Sequence, residues 1–389
     1  MSDSLPAIVV VAYNRPHSLR RLLYSIQQAI FLDSDIQLVI SIDGGGTTHE
    51  EVKKVAADFV WSHGRKEIIS HSTNLGLIDH IFWCGDLSQK FGRIILLEDD
   101  LVVSPTFYDY ATKSLDRYQS DPQIAGISLN ALWFNGFNQY PFTPLQDSGD
   151  AYFMQIAWFQ GQAYTAAQWG KFRQWSQANP QPVTAADPMH LAFTRFPQTD
   201  WFPHKTRYLV QTGRYYLFPR QSHTTNFGDQ GTHFSHHTDF FQVPLLMRPN
   251  RYHFPAFRDC LAVYDSFQEL LPNRLQQIAP QLADFDFVTD IYGERDQPRI
   301  PTPYVLTGQP TTVAIQKYGL IMRPPEANLM YQVAGQDLFL TAVSDLDRRK
   351  IPQLQANWQR YRYFTRYRSP SRRQRFNHWF GQKLTNFRN

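Results

Sequence analysis

Four times within the first 130 residues a short aliphatic run gives way to residues at helical spacing, and this alternation constrains the fold more than any other feature. Ile8 to Tyr13 is a β-branched run, broken by Asn14-Arg15-Pro16. Pro16 suits the first turn of a helix, and Leu19, Leu22, Leu23 and Ile26 then fall on one face. Leu38 to Ile42 is a second strand ending in Asp43-Gly44-Gly45-Gly46, after which Thr48 and Glu51 fit a capping box opening a helix through Val52, Val55 and Val60. Glu67 to Ser70 leads into Asn74-Leu75-Gly76, a helix over 77–89 follows, and Arg93 to Leu97 is the fourth strand. Pro105 begins a further helix reaching about Tyr118, and Ile124 to Leu129 returns as a strand. Strands that alternate with helices predict an α/β fold, a parallel sheet with helices on both faces. The architecture is one that binds nucleotides, yet neither GxGxxG nor GxxxxGK[ST] is present. Phosphate has to be handled by other means.

The fourth strand suggests how. Ile94-Ile95-Leu96-Leu97 reads as a buried strand, and Glu98-Asp99-Asp100 stands where it should emerge. Adjacent carboxylates repel one another, so folding alone does not favour the cluster. A hard divalent cation, Mn2+ or Mg2+, shared between a carboxylate and the phosphates of a nucleotide reverses that balance. The position agrees, because open α/β sheets bind ligands beyond the carboxyl ends of their strands. The plain alternative is a solvated acidic turn.

After Ala131 the regularity fails. Trp133 to Tyr164 is rich in aromatics, among them Trp158 and Phe159, which suit the apolar face of a sugar or an ordinary aromatic core. Ala166 to Ala178 is helical in pattern, and Pro180 to Pro203 reads as loop and short turns containing Thr199-Asp200-Trp201. Gly228 to His233 is glycine-flanked and suited to a lid. His223, His233, His236 and His237 lack the spacing of a zinc site. Short runs around Val305 and Ala314-Ile315 are expected to be strands of a small accessory lobe.

The glycine, proline and acid signals together resemble a GT-A glycosyltransferase: Ala12-Tyr13-Asn14-Arg15-Pro16, Ser41-Ile42-Asp43-Gly44, Asn74-Leu75-Gly76 and Glu98-Asp99-Asp100 in that order. The amino-terminal part is similar to family 2 sugar transferases. Leu97 to Tyr110 most resembles the enzymes that start complex N-glycan branches by transferring N-acetylglucosamine. The resemblance covers roughly residues 5–245 and implies a GT-A, nucleotide-diphospho-sugar transferase sheet of Rossmann-like kind with a less regular C-terminal region. It implies a nucleotide half over 1–130 and an acceptor and catalytic half over 131–245; beyond it the sequence itself reads as an accessory region over 246–345 and a basic aromatic tail over 346–389. The resemblance also implies roles. Arg15 lies near the nucleotide, Asp43 accepts from the base, Asn74 lines the nucleotide pocket, Glu98 and Asp99 face ribose and sugar, and Asp100 ligates the metal. Such families usually place Asp first in the triplet; Glu98 departs from that and favours Asp100 as the main ligand. Asp200 is the implied base that takes the acceptor's proton, with Asp187 and Asp150 in reserve. The implied activity is an inverting, metal-dependent transfer from a nucleotide sugar, UDP-linked, to a glycan or glycolipid in surface polysaccharide synthesis. A retaining transferase of the same fold and a non-catalytic nucleotide- or carbohydrate-binding protein are the alternatives.

The net charge of +4 is unevenly placed. Residues 348–389 hold twelve Lys and Arg and no acid, and subtracting those twelve leaves −8 for residues 1–347. Arginines interleaved with Trp358, Tyr363, Phe364, Trp379 and others suit an anionic membrane surface. Nucleic acid or the acidic body itself would fit the same composition, and a nucleic-acid partner leaves the acid triplet unexplained. No run reaches the roughly 18 apolar residues of a transmembrane helix. Met1-Ser2-Asp3-Ser4 does not resemble a signal peptide, and two cysteines do not make a disulfide framework. A cytoplasmic address, peripheral on the inner face of the plasma membrane, is expected.

Overall fold

The structure is a computed structural model that describes residues 4–198, 200–230, 236–311, 313–346 and 354–366. Two compact units are formed, one from Met1–Trp133 with Pro144–Leu271, the other from Phe134–Thr143 with Pro272–Asn389.

In the first unit the elements run β1 (Ala7–Ala12), α1 (Pro16–Gln27), β2 (Leu38–Ile42), α2 (His49–Asp58), β3 (Lys66–Ser70), α3 (Leu77–Asp86), α4 (Ser88–Phe91), β4 (Arg93–Glu98), β5 (Leu101–Val103), α5 (Phe107–Tyr118) and β6 (Ile124–Ser128). Then come β7 (Ala151–Met154), β8 (Gln162–Thr165), α6 (Ala166–Ala178), α7 (Trp201–Thr212), β9 (Tyr215–Pro219), β10 (Thr224–Asn226) and β11 (Val263–Tyr264). Nine strands make one sheet in the order β11-β7-β9-β6-β8-β4-β1-β2-β3. β3, β2, β1 and β4 are parallel, which is the expected Rossmann-like half. Every residue of β1 and β2 is buried, as central parallel strands require, while β3 at the edge carries the charged pair Lys66 and Glu67.

The sheet is mixed rather than parallel throughout. β8 lies between β4 and β6 and is antiparallel to both. A strand arriving from residue 162 was not legible because its core run, Gln162-Ala163-Tyr164-Thr165, is short and half polar. β11 adds to the edge of the same sheet beside β7, so this unit extends to Leu271 and not to 245. α1 buries Leu19, Leu22, Leu23 and Ile26, the face read from their spacing. Thr48 precedes α2 as expected but does not cap it. Its hydroxyl donates to Asn14 O at 2.6 Å, tying α2 to the loop after β1, and Glu50 and Glu51 occupy the first helical turn instead.

The second unit contains α8 (Pro272–Ile278), β12 (Phe287–Asp290), β13 (Tyr304–Thr307), β14 (Gln316–Tyr318), α9 (Ala327–Met330), β15 (Leu338–Ala342) and α10 (Leu354–Thr365). Its four strands pair in the order β12-β13-β15-β14. α10 lies in the stretch expected to be tail, yet it belongs to this unit's core: Tyr363 and Phe364 are buried, and Phe364 stacks on Tyr140 at 4.9 Å. Arg360 is buried as well and donates to Gly308 O at 3.1 Å and Ile291 O at 2.5 Å. A Cβ on Gly308 would come within 1.9 Å of the guanidinium, so a side chain there would push Arg360 from its carbonyl partners. The rest of the basic tail, 367–389, lies outside the described residues, as do 347–353. No described helix is long and apolar enough to cross a membrane.

Candidate active site

Parallel register brings the ends of β1, β2 and β4 together and extends their ladders by one residue. Asp99 N donates to Val11 O at 3.0 Å, Asp43 N to Ala12 O at 2.9 Å, and His71 N to Ile42 O at 2.9 Å. Tyr13, Asn14 and Arg15 therefore stand beside Asp43 and its glycines on one side and Glu98-Asp99-Asp100 on the other. Four separate stretches of sequence meet at the carboxyl edge of the sheet, the place where α/β folds bind ligands.

Arg15 organises the acids. Its guanidinium pairs with Asp99, and its Nη1 donates to Asp100 Oδ2 at 3.0 Å. Asp99 is buried and also faces Tyr13 N at 3.4 Å, whereas the Asp100 side chain is 20% exposed. Burial pushes the Asp99 carboxyl up to about 6, with Arg15 working against the rise. Glu98 is driven well above the usual carboxylate range, first by burial and then by Asp100, with smaller pushes from Asp99 and Asp200. Burial opposes the charge on Arg15, but the three acids more than offset it and hold the guanidinium protonated.

Asp43 braces the neighbouring loop. Its Oδ1 accepts from Gly44 N and Leu75 N, both at 2.8 Å, and its Oδ2 accepts from Gly76 N at 3.1 Å. A Cβ on Gly44 would lie 2.5 Å from the Thr73 carbonyl carbon, so the two loops pack too tightly for any side chain there. Asn74, on the braced loop, donates from Nδ2 to Tyr13 OH at 3.0 Å. The Asn74-Leu75-Gly76 signal thus reflects a loop held against the end of β2.

Asp200 is the N-cap of α7, its Oδ1 accepting from Phe202 N at 2.9 Å. This twelve-residue helix starts within the last residues of the stretch expected to be loop and short turns; Pro203 sits in its first turn, where a missing N–H costs nothing. Asp200 also lines a cleft of 360 Å³ walled by Phe82, Phe193, Phe196 and Trp201 and by prolines 180, 182, 197 and 203. Its carboxylate adds a small push to the raised Glu98 carboxyl. The two reserve bases are engaged elsewhere. Asp187 Oδ2 accepts from Thr184 N at 2.7 Å within a turn, and Asp150 Oδ2 accepts from His253 N at 2.6 Å.

The same cleft holds a polar group that no sequence motif flagged. Arg207 Nη2 lies 3.2 Å from His204 Nδ1, and His204 Nε2 lies 2.9 Å from Ser176 Oγ. Burial first and Arg207 second lower the His204 pKa to about 4. A neutral ring that accepts at Nδ1 must carry its proton on Nε2 and donate to Ser176. His204 therefore cannot act as a base for that hydroxyl, and the pair is not an activated nucleophile. His204 and Arg207 are one turn apart on α7, but Ser176 comes from the end of α6, a convergence only the fold reveals.

Among the described residues the histidines do not gather into a metal site. His223 is buried, stacked on Tyr110 at 4.2 Å with Nδ1 3.1 Å from Thr106 Oγ1, and burial lowers its pKa to about 3. His233 falls outside the described residues. The glycine-flanked segment is anchored at its start. Phe227 N donates to Asp100 O at 3.1 Å, β10 pairs with β5, and Asp229 pairs with Arg21 and Ser18 of α1. The aromatic stretch from Trp133 to Tyr164 is divided between the units, and Trp158 is a buried residue donating to Asn130 Oδ1 at 3.0 Å.

Among the described residues no three His, Cys, Asp or Glu side chains close around a metal position. An ion shared with phosphates does not require such a cage; one or two carboxylates and waters suffice. Asp100 fits that role, being partly exposed with Oδ1 accepting no hydrogen bond among the described residues. Asp99, buried and engaged at both oxygens, fits it less well.

No family model matches the chain. Over 157 residues it is 26% identical to an alpha-1,3-mannosyl-glycoprotein 2-beta-N-acetylglucosaminyltransferase of Arabidopsis thaliana, a stretch covering 40% of this chain and 28% of that protein's length. Among solved structures it is similar to S. aureus TarS 1–349, at 12% identity and a TM-score of 0.38 over 58% of this chain and 61% of that one. It is also similar to the mannosyltransferase PcManGT of Pyrobaculum calidifontis, a complex with GDP-Man and Mn2+, at 12% identity and a TM-score of 0.34 over 55% of each chain. Structural likeness at this level says nothing about chemistry. The sequence likeness falls on the enzyme type that Leu97 to Tyr110 resembles.

Proposed function

We propose that this chain is an inverting GT-A glycosyltransferase that moves a sugar, an N-acetylhexosamine or hexose, from a UDP-linked donor to a hydroxyl of a glycan or lipid-linked acceptor. The observation that carries the reading is the meeting of Arg15, Asp43 and Glu98-Asp99-Asp100 at one sheet edge, with the Asp200 carboxylate in electrostatic reach of Glu98. The relative named above supports the transfer of N-acetylglucosamine in particular.

In this reading the loop braced by Asp43, with Asn74 and Tyr13, receives the uridine. Asp99 is held by Arg15 toward the ribose and sugar side. Asp100 holds Mn2+ or Mg2+, which when bound neutralises charge growing on the departing diphosphate. Arg15 adds a fixed positive charge at the same place and prevents the acids from repelling one another when the donor is absent. Asp200 takes the acceptor's proton while the aromatic and proline walls of the cleft hold the acceptor ring and Ser176 binds one of its hydroxyls. A folded-state base opposite the leaving group is what inversion needs.

A thermal-shift panel of nucleotide sugars with and without Mn2+, followed by assay of UDP release, tests the reading. A Mn2+-dependent shift by UDP-sugars with UDP release on adding acceptor glycans is expected. Absence of any shift with every nucleotide sugar, metal present, would overturn it.

A further inference from the structure

We propose that the cleft beside Asp200 selects an acceptor sugar carrying an N-acyl group, an N-acetylhexosamine, and that Ser176 reads that group by donating its hydroxyl proton to the acyl carbonyl. This rests on the transfer reaction proposed above and narrows its acceptor. Hydrogen-bond direction carries the assignment. A guanidinium has donors and no acceptor, so the contact of Arg207 Nη2 with His204 Nδ1, at 3.2 Å, fixes Nδ1 as the acceptor. The ring proton then sits on Nε2 and is given to Ser176 Oγ at 2.9 Å. That contact uses one lone pair of Oγ and leaves the other, together with the hydroxyl proton. Among the described residues Oγ makes no other hydrogen bond, and Ser176 is 8% exposed, so a proton left without an acceptor there is costly. The remaining lone pair suits a ring hydroxyl that donates to it. The proton suits an amide carbonyl, which is purely an acceptor. An N-acetylhexosamine offers the two side by side, a hydroxyl next to an acetamido group.

The surroundings of Ser176 fit the rest of the acyl group. It shares the cleft with Phe82, Pro180, Pro182, Phe193 and the His204 ring. Phe172 packs against both Phe82 and His204, with ring centres 5.4 and 6.2 Å away, which draws those two walls together. A directed donor set among apolar walls takes a carbonyl with a methyl group beside it. The walls are held from behind. Arg207 Nη1 donates to Pro182 O at 3.0 Å, and Nη2 donates to Asn179 O at 3.0 Å and Gln181 O at 2.6 Å. Arg207 thus sets the His204 tautomer and pins the proline segment with the same group. Charge narrows the choice further. Asp200 is the carboxylate lining the cleft, and among the described residues no Lys or Arg lines it. A uronic acid or a phosphorylated sugar would meet a like charge with no cation to offset it, whereas an N-acyl sugar is neutral.

The test is binding of simple glycosides to the full chain, read by saturation-transfer NMR titration with and without UDP and Mn2+, so that no turnover is needed. The probes are methyl N-acetyl-β-glucosaminide, methyl β-glucoside and methyl β-glucuronide, with the galacto counterparts covering the other configuration at C4. In at least one series the N-acetyl form should bind about fivefold or more tightly than the parent sugar, the range of one well-placed hydrogen bond. The glucuronide should bind more weakly than the parent. Ser176→Ala should bring the N-acetyl-to-parent ratio to within about twofold of one, and Ser176→Thr, which keeps a hydroxyl, should retain it. A merely structural Ser176 would weaken both sugars together and leave the ratio as it is. The UDP-induced thermal shift, measured alongside, should match the wild type in both variants. Loss of every nucleotide-sugar response with the N-acetyl preference kept would sink the transfer reaction and leave the selectivity of the cleft standing. A normal UDP response with equal affinity for N-acetyl and parent sugars would sink this inference alone. An unchanged ratio in Ser176→Ala, tighter binding of the glucuronide, or no binding of either N-acetyl glycoside would each overturn it as well.

Discussion

Arg15 and Asp100 come from loops 85 residues apart and meet with Nη1 3.0 Å from Oδ2. In the absence of metal this guanidinium is what balances three acids at one strand end. Arg15→Ala should therefore destabilise the fold by about 2 kcal/mol, since Asp99 is left buried without its partner. Mn2+ with UDP should raise the melting temperature of Arg15→Ala by more than that of the wild type, because the cation then replaces the lost charge. Asp100→Ala should abolish the Mn2+-dependent part of the UDP shift and lower kcat by about 10²-fold or more. Equal metal response in wild type and Asp100→Ala would remove Asp100 as ligand.

Asp200 does two things that substitutions can separate. It caps α7 through Phe202 N, and in the proposed reaction it is the base. Asn caps a helix as well as Asp but cannot take a proton, so Asp200→Asn should keep its stability within a few tenths of a kcal/mol and lose transfer. Asp200→Ala should lose transfer and about 1 kcal/mol of stability together. Both variants should bind UDP as the wild type does. Full transfer by Asp200→Asn would assign the aspartate to the helix alone.

Physical period explains which parts of this architecture could be read beforehand. β1, β2 and β4 are buried on both faces, so their aliphatic runs are unbroken, and the Leu19 to Ile26 stripe has a single period. The four strands β6 to β9 are no longer than five residues each and carry Tyr, Gln and Thr on buried faces. Some of their polar atoms pair with each other, as where Tyr164 OH lies 2.5 Å from Tyr216 OH, a pairing invisible to hydropathy. α7 begins inside the proline-rich stretch 180–203, and Pro203 is compatible with it because it stands in the first turn. At the site, the acids and glycines were legible because their local chemistry is unusual. The Ser176, His204 and Arg207 group was not, because each residue alone is ordinary. Within the basic tail, composition does not single out Arg360; it is buried, and three carbonyl oxygens, of Gly308, Ile291 and Asp337, accept from it.

Asp43 accepts three backbone N–H groups from two loops, which makes it a brace as well as a candidate nucleotide contact. Asp43→Ala leaves those donors without their acceptor and should cost about 3 kcal/mol, measured as a shift of the urea midpoint. Gly44→Ala should show a comparable loss from the clash with Thr73, with no change in charge at the site. If donor affinity falls in both variants alike, loop position matters more than the carboxylate. A loss confined to Asp43→Ala would assign the carboxylate itself to the ligand.

Lys205 lies one turn beyond Asp200 on α7, fully buried, with Nζ 3.8 Å from the ring centre of Tyr164, 4.1 Å from Trp169 and 4.6 Å from Phe172. Among the described residues the amine has no hydrogen-bond partner, and burial lowers its pKa well below 10.5. The unfolded chain then binds a proton that the folded one binds less readily. The contribution of Lys205 to stability is greatest above pH 10.5 and falls as pH drops below it, by about 1.4 kcal/mol per unit until the folded pKa is reached. Lys205→Met keeps the length, removes the unpaired amine and should raise stability at pH 7 by about 1–2 kcal/mol. The difference in melting temperature between variant and wild type should narrow from pH 7 to pH 10, because the wild type alone regains stability. Since Lys205 touches neither Asp200 nor the cleft walls other than through Trp201 and its own aromatic cage, UDP binding should not change. A variant less stable than the wild type at every pH would show that the amine–ring contacts outweigh the burial of the charge.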